Sequence, residues 1–109
     1  MNLENSQAQM RKGFLEYCIL LIISRQKAYA SDILAELRKA DLLVVEGTLY
    51  PLLSRLKNSG MLDYHWQESK SGPPRKYYEL TALGRTMLKQ LDGTWETLQL
   101  SISALRELR

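Results

Sequence analysis

The stretch EGTLYPLLSRLKNSGMLDYHWQESKSGPPRKYYELT, residues 46–81, decides the fold. Leu49, Leu52, Leu53 and Leu56 follow the i, i+3, i+4, i+7 spacing of an amphipathic helix, predicted from about Gly47. Burying those leucines turns Thr48, Pro51, Ser54, Arg55 and Asn58 outward, with Tyr50 and Lys57 on the flanks. Pro51 falls near the end of the first turn, where little of the hydrogen-bond ladder is lost. Asn58-Ser59-Gly60 is a stop signal, with Gly60 suited to the left-handed C-terminal position. Leu62, Tyr64 and Trp66 then alternate with Asp63, His65 and Gln67, which is strand periodicity. That parity puts Trp66 in the core and His65 outside without an evident partner. SKSGPP reads as a stiff turn built on Gly72, Pro73 and Pro74, with Lys70, Arg75 and Lys76 at its tip. RKYYEL resumes as a second strand, with one of Tyr77 and Tyr78 packed inward and the other exposed.

Upstream, residues 1–7 are polar and expected to fray. A helix is predicted over 8–25, and it carries two apolar stripes. Met10, Phe14, Tyr17 and Leu21 form one, Leu15, Ile19 and Ile22 the other, with Cys18 between them. A surface helix needs only one such stripe, so a second implies a second packing partner. Either the helix lies at the centre of a monomer or another copy of the chain covers its far side. A further helix, DILAELRKA, is capped by Ser31 or Asp32 and faces Ile33, Leu34 and Leu37 inward, after which Asp41–Val45 turns the chain. Downstream, Thr81 caps a long last helix. Its Leu88, Leu91, Trp95, Leu98, Ile102 and Leu105 recur at alternating spacings of three and four, the a and d rhythm of a helix–helix seam. Nothing else in the chain except the first helix is long enough to cover that seam, so a second segment also points to a homodimer.

Length and charge bound the rest. The chain has 109 residues, 45% of them apolar, and a net charge of +3. That is one small domain with a limited core, for which oligomerisation is a natural source of extra stability. The basic excess suits an acidic partner. It is not concentrated in a tail: residues 1–45 carry six basic and five acidic side chains, 46–80 five and four, 81–109 four and three. Cys18 is the single cysteine and His65 the single histidine, so a zinc site and an intrachain disulfide are both ruled out. Among its apolar neighbours Cys18 reads as an inert buried thiol. No nucleophile–base arrangement and no glycine-rich phosphate loop is present, so an enzyme is not expected and no cofactor is called for. The opening residues lack a signal-peptide pattern. The longest apolar run, Tyr17–Ile23, is far too short to span a bilayer, so a cytoplasmic protein without a membrane partner is expected.

GTLYPLLSRLKNSGML followed by GPPRKYYELTALG, with Trp95 downstream and a looser match at KGFLEYCILLII, resembles the PadR family of bacterial transcriptional regulators. The similarity is to its short members with one C-terminal helix and runs from about Met10 to Leu105. It implies a winged helix-turn-helix, mainly α with a small β-hairpin wing. It also implies a homodimer joined through the first and last helices, and binding to palindromic operators. Members of the family repress phenolic-acid stress genes or transporter genes. In the drug-binding group the residue matching Trp95 stacks on planar hydrophobic ligands at the dimer interface. Where that group has smaller or polar residues this chain has Tyr17 and Leu21, so ligand identity does not carry over.

On this reading residues 1–80 form the DNA-binding domain and 81–109 the dimerisation helix. Thr48, Tyr50, Pro51 and Ser54 are candidates for base-edge or phosphate contact in the major groove, with Arg55 and Lys57 reaching phosphate or guanine. Lys70, Ser71, Arg75 and Lys76 are candidates for backbone contact from the wing. Met10, Tyr17, Leu91 and Trp95 are the candidate ligand residues. The expected function is a homodimeric repressor on double-stranded DNA, controlling transporter or stress-response genes and released by a small planar ligand. The competing reading is a winged-helix protein-interaction module that binds no DNA; the cations of the wing, with Arg55 and Lys57, weigh against it.

Overall fold

In the computed structural model, which describes residues 2–109, the chain runs α1 (Leu3–Arg25), β1 (Ala28–Tyr29), α2 (Ala30–Lys39), α3 (Glu46–Asn58), β2 (Leu62–Ser69), β3 (Gly72–Leu80) and α4 (Ala82–Glu107). It is a mainly helical winged helix-turn-helix: α2 and α3 form the helix pair, and β2 and β3 form the wing. The three strands make an antiparallel sheet in the order β1-β3-β2. The core lies where three layers meet. Ile19, Leu20 and Ile23 of α1 pack with Ile33 and Leu37 of α2, with Leu49, Leu53 and Leu56 of α3, and with Leu62, Tyr78 and Leu80 of the sheet.

Several boundaries differ from those read in the sequence, each for a local reason. Helix α1 starts at Leu3 rather than Ala8, because the Asn2 side chain accepts the Asn5 backbone N–H at 3.2 Å and Glu4 sits in the positively polarised first turn. For α2 the N-cap is Tyr29, whose N–H donates to the Asp32 carboxylate at 3.0 Å, so Asp32 satisfies the helix end from inside its first turn. Strand β1 is two residues long, too short for any periodic signal, and it pairs Ala28 with Tyr78 and Tyr29 with Tyr77.

The wing turn is tighter than expected. Ser69 pairs with Gly72, so only Lys70 and Ser71 lie in the turn, and Gly72, Pro73 and Pro74 belong to β3. Between Gln67–Arg75 and Ser69–Gly72 the ladder holds one residue on β2 but two on β3, a bulge that absorbs the prolines. Lys70 alone stands at the tip; Arg75 and Lys76 sit farther back along the strand.

One junction joins three elements. Gly60 has φ +81°, the left-handed stop predicted for α3. The Thr81 hydroxyl donates to the Gly60 carbonyl at 2.6 Å, and the Thr81 N–H donates to the Met61 carbonyl at 3.1 Å. The same hydroxyl oxygen accepts the Gly84 N–H at 3.0 Å and so caps α4. Gly84 presses against this corner so closely that a Cβ there would lie 2.1 Å from the Met61 carbonyl oxygen.

Beyond that junction α4 leaves the body. Leu88 is buried, Leu91 and Trp95 are half-buried, and Leu98, Ile102 and Leu105 are exposed. The radius of gyration is 16.0 Å, against about 13 Å for a compact chain of this length, and the long dimension is 58 Å. Among the described residues no helix is long and apolar enough to cross a membrane, and no cluster of His, Cys, Asp and Glu could hold a metal ion.

Gly84→Ala should destabilise the fold by about 2–3 kcal/mol, since the clash is with backbone that cannot rotate away. A lowered urea midpoint at unchanged m-value checks this, with the exposed Gly93→Ala in the same helix expected to be neutral or slightly stabilising.

Candidate nucleic-acid interface

Helix α3 is seated by Leu49, Leu53 and Leu56, which leaves Thr48, Tyr50, Pro51, Ser54 and Asn58 exposed along its outer ridge. Leu52, expected in the core with them, is only partly buried. The two flanks of that ridge face different neighbours. On one side Tyr50 borders a cleft of about 360 Å³ whose opposite wall is the wing, at Trp66, Pro74 and Lys76. On the other, Thr48, Pro51 and Arg55 border a larger, mostly apolar groove of about 650 Å³ against the N-terminal part of α1.

Arg55 is not free on that flank. Its Nη2 donates to the Glu16 carboxylate of α1, with the Arg55 side chain 70% exposed and Glu16 25% exposed. Thirty-nine residues separate the pair, so no helical spacing announces it. The pair links the reading-helix candidate to the same helix that meets α4.

The other cations are held differently. Arg75 lies with its guanidinium 3.8 Å from the Tyr29 ring centroid and donates from Nη2 to the Ser31 hydroxyl at 2.8 Å. Lys76 Nζ is 4.4 Å from the Tyr64 ring and 5.1 Å from Trp66, and Lys57 Nζ reaches the Tyr64 ring from α3 at 5.7 Å. Ring faces attract a cation through their quadrupole without neutralising it. Among the described residues Lys57, Lys70, Arg75 and Lys76 form no ion pair. Lys70 and Ser71 are exposed in the turn.

Two readings of the wing need correction. His65 does have a partner: its Nε2 lies 2.7 Å from the Glu79 carboxylate, and its ring stacks obliquely on Tyr77 at 5.4 Å. Trp66 is not core but 61% exposed. Its strand parity is right, since it shares a face with Leu62 and Tyr64, but the sheet outruns the helices before it reaches Trp66. Of the tyrosine pair, Tyr78 is buried and Tyr77 partly exposed, as the alternation requires.

The candidate ligand residues are only partly brought together. Helices α1 and α4 pack antiparallel, with Tyr17 opposite Asp92 and Phe14 opposite Trp95. The two rings meet edge to face at 5.1 Å. The Tyr17 hydroxyl donates to Asp92 at 2.5 Å, and that bond, with some burial, pushes the Tyr17 pKa up to about 12. Leu91 packs against the main core, whereas Met10 is exposed. Burial also raises the Cys18 thiol pKa, which disfavours the reactive thiolate.

Helix pair, wing and long terminal helix have known counterparts. Residues 19–90 match the model of the transcriptional regulator PadR-like family. The chain belongs to that family. Its fold superposes on a PadR-like transcription factor from Bacteroides fragilis with a TM-score of 0.80 at 53% identity, over 93% of this chain and 98% of that one. A PadR-like transcriptional regulator from Bacillus cereus gives 0.79 at 36% identity, over 89% and 95%. A PadR family regulator from Eggerthella lenta gives 0.89 at 29% identity, over 98% and 94%. This PadR-like chain is therefore a member of a family of DNA-binding transcriptional regulators, not of enzymes.

Tyr17→Phe should cost about 1 kcal/mol, because it removes the Asp92 bond and leaves a half-buried carboxylate unpaired. Below the usual tyrosine pKa the hydroxyl is protonated in both folded and unfolded chains and the bond contributes fully. Between about pH 10 and 12 the unfolded chain ionises first, so the difference between wild type and variant should shrink as pH rises. Urea titrations at a series of alkaline pH values check both.

Proposed function

We propose that this chain is a homodimeric repressor that binds an inverted-repeat operator and controls transporter or stress-response genes. Helix α3 enters the major groove with its N-terminal half nearest the bases, presenting Thr48, Tyr50, Pro51 and Ser54 to base edges and nearby phosphate. Arg55 and Lys57 reach phosphate or guanine from the next turn. Lys70, Ser71, Arg75 and Lys76 bind the flanking backbone. The observation that carries this reading is the placement of Lys57, Arg75 and Lys76. They sit on tyrosine faces, and Arg75 and Lys76 line the cleft that α3 shares with the wing, oriented but not neutralised.

Residues 1–80 act as the reading head and 81–109 as the dimerisation helix. The exposed row Leu98, Ile102 and Leu105 supports that division, because a lone helix carrying it would leave its apolar side in water. Two-fold symmetry then sets two α3 helices about one turn of duplex apart. A planar hydrophobic ligand at Trp95 would act by favouring one spacing of the heads over another. The Phe14 edge against Trp95 and the Tyr17–Asp92 bond are the contacts such a ligand must rearrange.

Fluorescence anisotropy on a duplex taken from beside the protein's own gene tests the reading. Arg55→Ala and Lys76→Ala should each weaken binding and reduce the slope of log K against log[salt] by about 0.9. Glu16→Gln should do the reverse, tightening binding several-fold with a steeper slope, since Arg55 no longer has a carboxylate to leave. If the alanine variants match wild type in both affinity and slope, the proposed interface is wrong. Absence of any complex down to low salt would instead favour the protein-interaction module.

A further inference from the structure

Trp66 is a large aromatic residue left 61% exposed on the core-side face of a strand, beside the helix proposed to read DNA. Its surroundings show what it suits. Lys76, its cross-strand partner, holds Nζ 5.1 Å from the indole ring. Tyr64 meets it edge-on at 6.3 Å with rings perpendicular, which fixes the ring while leaving a face open. Across the cleft stands Tyr50 of α3, itself 48% exposed, and Arg75 and Pro74 complete the wing side. Glu46 is the one carboxylate on the lining, against two cations.

We propose that Trp66 packs its open face on a deoxyribose of the DNA backbone that passes between α3 and the wing. Lys76 takes the adjoining phosphate, and Arg75, which lines the same cleft, a further one. This rests on the reading of α3 and the wing as the DNA interface, and it adds a contact of a different kind. A sugar–phosphate chain alternates apolar faces with anions at every nucleotide. A surface matching it must set an apolar face beside a cation, and Trp66 next to Lys76, with Arg75 on the same cleft, does. An apolar peptide or an uncharged ligand has no use for the flanking cations, and a second copy of this chain, also positively charged overall, would be repelled by them. Base faces in an intact duplex are stacked and closed to the indole. The thymine methyl lies within the major groove that α3 is proposed to fill, so the sugar is the apolar group that the wing side meets.

The contact is non-ionic, and that makes it separable. The probe is a mixed-sequence duplex of about three helical turns, since backbone contact needs no operator. Trp66→Ala should weaken binding by about 5- to 50-fold, in the range of an aromatic contact to nucleic acid. The slope of log K against log[salt] should stay as in wild type. Lys76→Ala in the same assay should lower that slope by about 0.9. Trp66→Phe should recover most of the lost affinity. Saturating duplex should also shield wild-type tryptophan fluorescence from acrylamide, and Trp66→Phe, which retains only Trp95, should lose that shielding. Wild-type affinity in Trp66→Ala, or a slope change as large as that of Lys76→Ala, would overturn the contact while leaving the interface standing. If wild type binds no duplex at any salt, the interface and the contact fall together.

Discussion

Much of this molecule depends on the absence of one methyl group. Gly84 lets the first turn of α4 lie against the Met61 carbonyl, at a distance no side-chain-bearing residue tolerates. Met61 is the link between the end of α3 and the start of β2, and Thr81 binds both Gly60 and Met61 while capping α4. A shift of that junction would therefore move α3, the root of the wing and the terminal helix at once. The left-handed Gly60 serves the same corner from the other side. Two glycines and a threonine thus fix the direction in which α4 departs, and that direction decides where its uncovered leucines point.

The site is built on a different economy of charge. Only Arg55 among the proposed contacts is matched by a carboxylate, and its partner comes from α1. Lysines 57 and 76 and Arg75 are instead laid on tyrosine and tryptophan faces. Long basic side chains lose rotamer entropy when they are ordered on a ligand. Resting on rings, these give up part of that freedom in advance while keeping their charge. The arrangement also explains why so many tyrosines crowd the sheet of a small domain: Tyr29, Tyr64 and Tyr77 each carry a cation.

The elements with strong periodicity were legible. Leu49, Leu53 and Leu56 of α3, the stop at Gly60, the alternation through Tyr64 and the capping role of Thr81 all lie where their patterns put them, because each is a local rule with one solution. What escaped were features that pattern does not encode. Strand β1 has no period at two residues. The Glu16–Arg55 and Arg75–Ser31 contacts join segments far apart in sequence. Trp66 has the parity of a core residue, but parity says which face of a sheet a residue is on, not how far the covering helices extend. The prolines were misplaced for a related reason. They break a ladder only where a neighbour needs their N–H, and here one side of β3 has no neighbour.

The open side of β3 also governs how readily one wing could pair with another. Strand β1 covers β3 only at Tyr77 and Tyr78, so from Gly72 to Lys76 the outer edge of the wing offers unpaired backbone to any passing strand. Such an edge is a template for sheet extension and, through it, for aggregation. Pro73 and Pro74 lie in this segment. Successive residues point their backbone nitrogens to opposite sides, so one of the two faces the open edge with no hydrogen to give, and the other falls in the bulge. The wing can thus extend well beyond the core while remaining a poor partner for another wing.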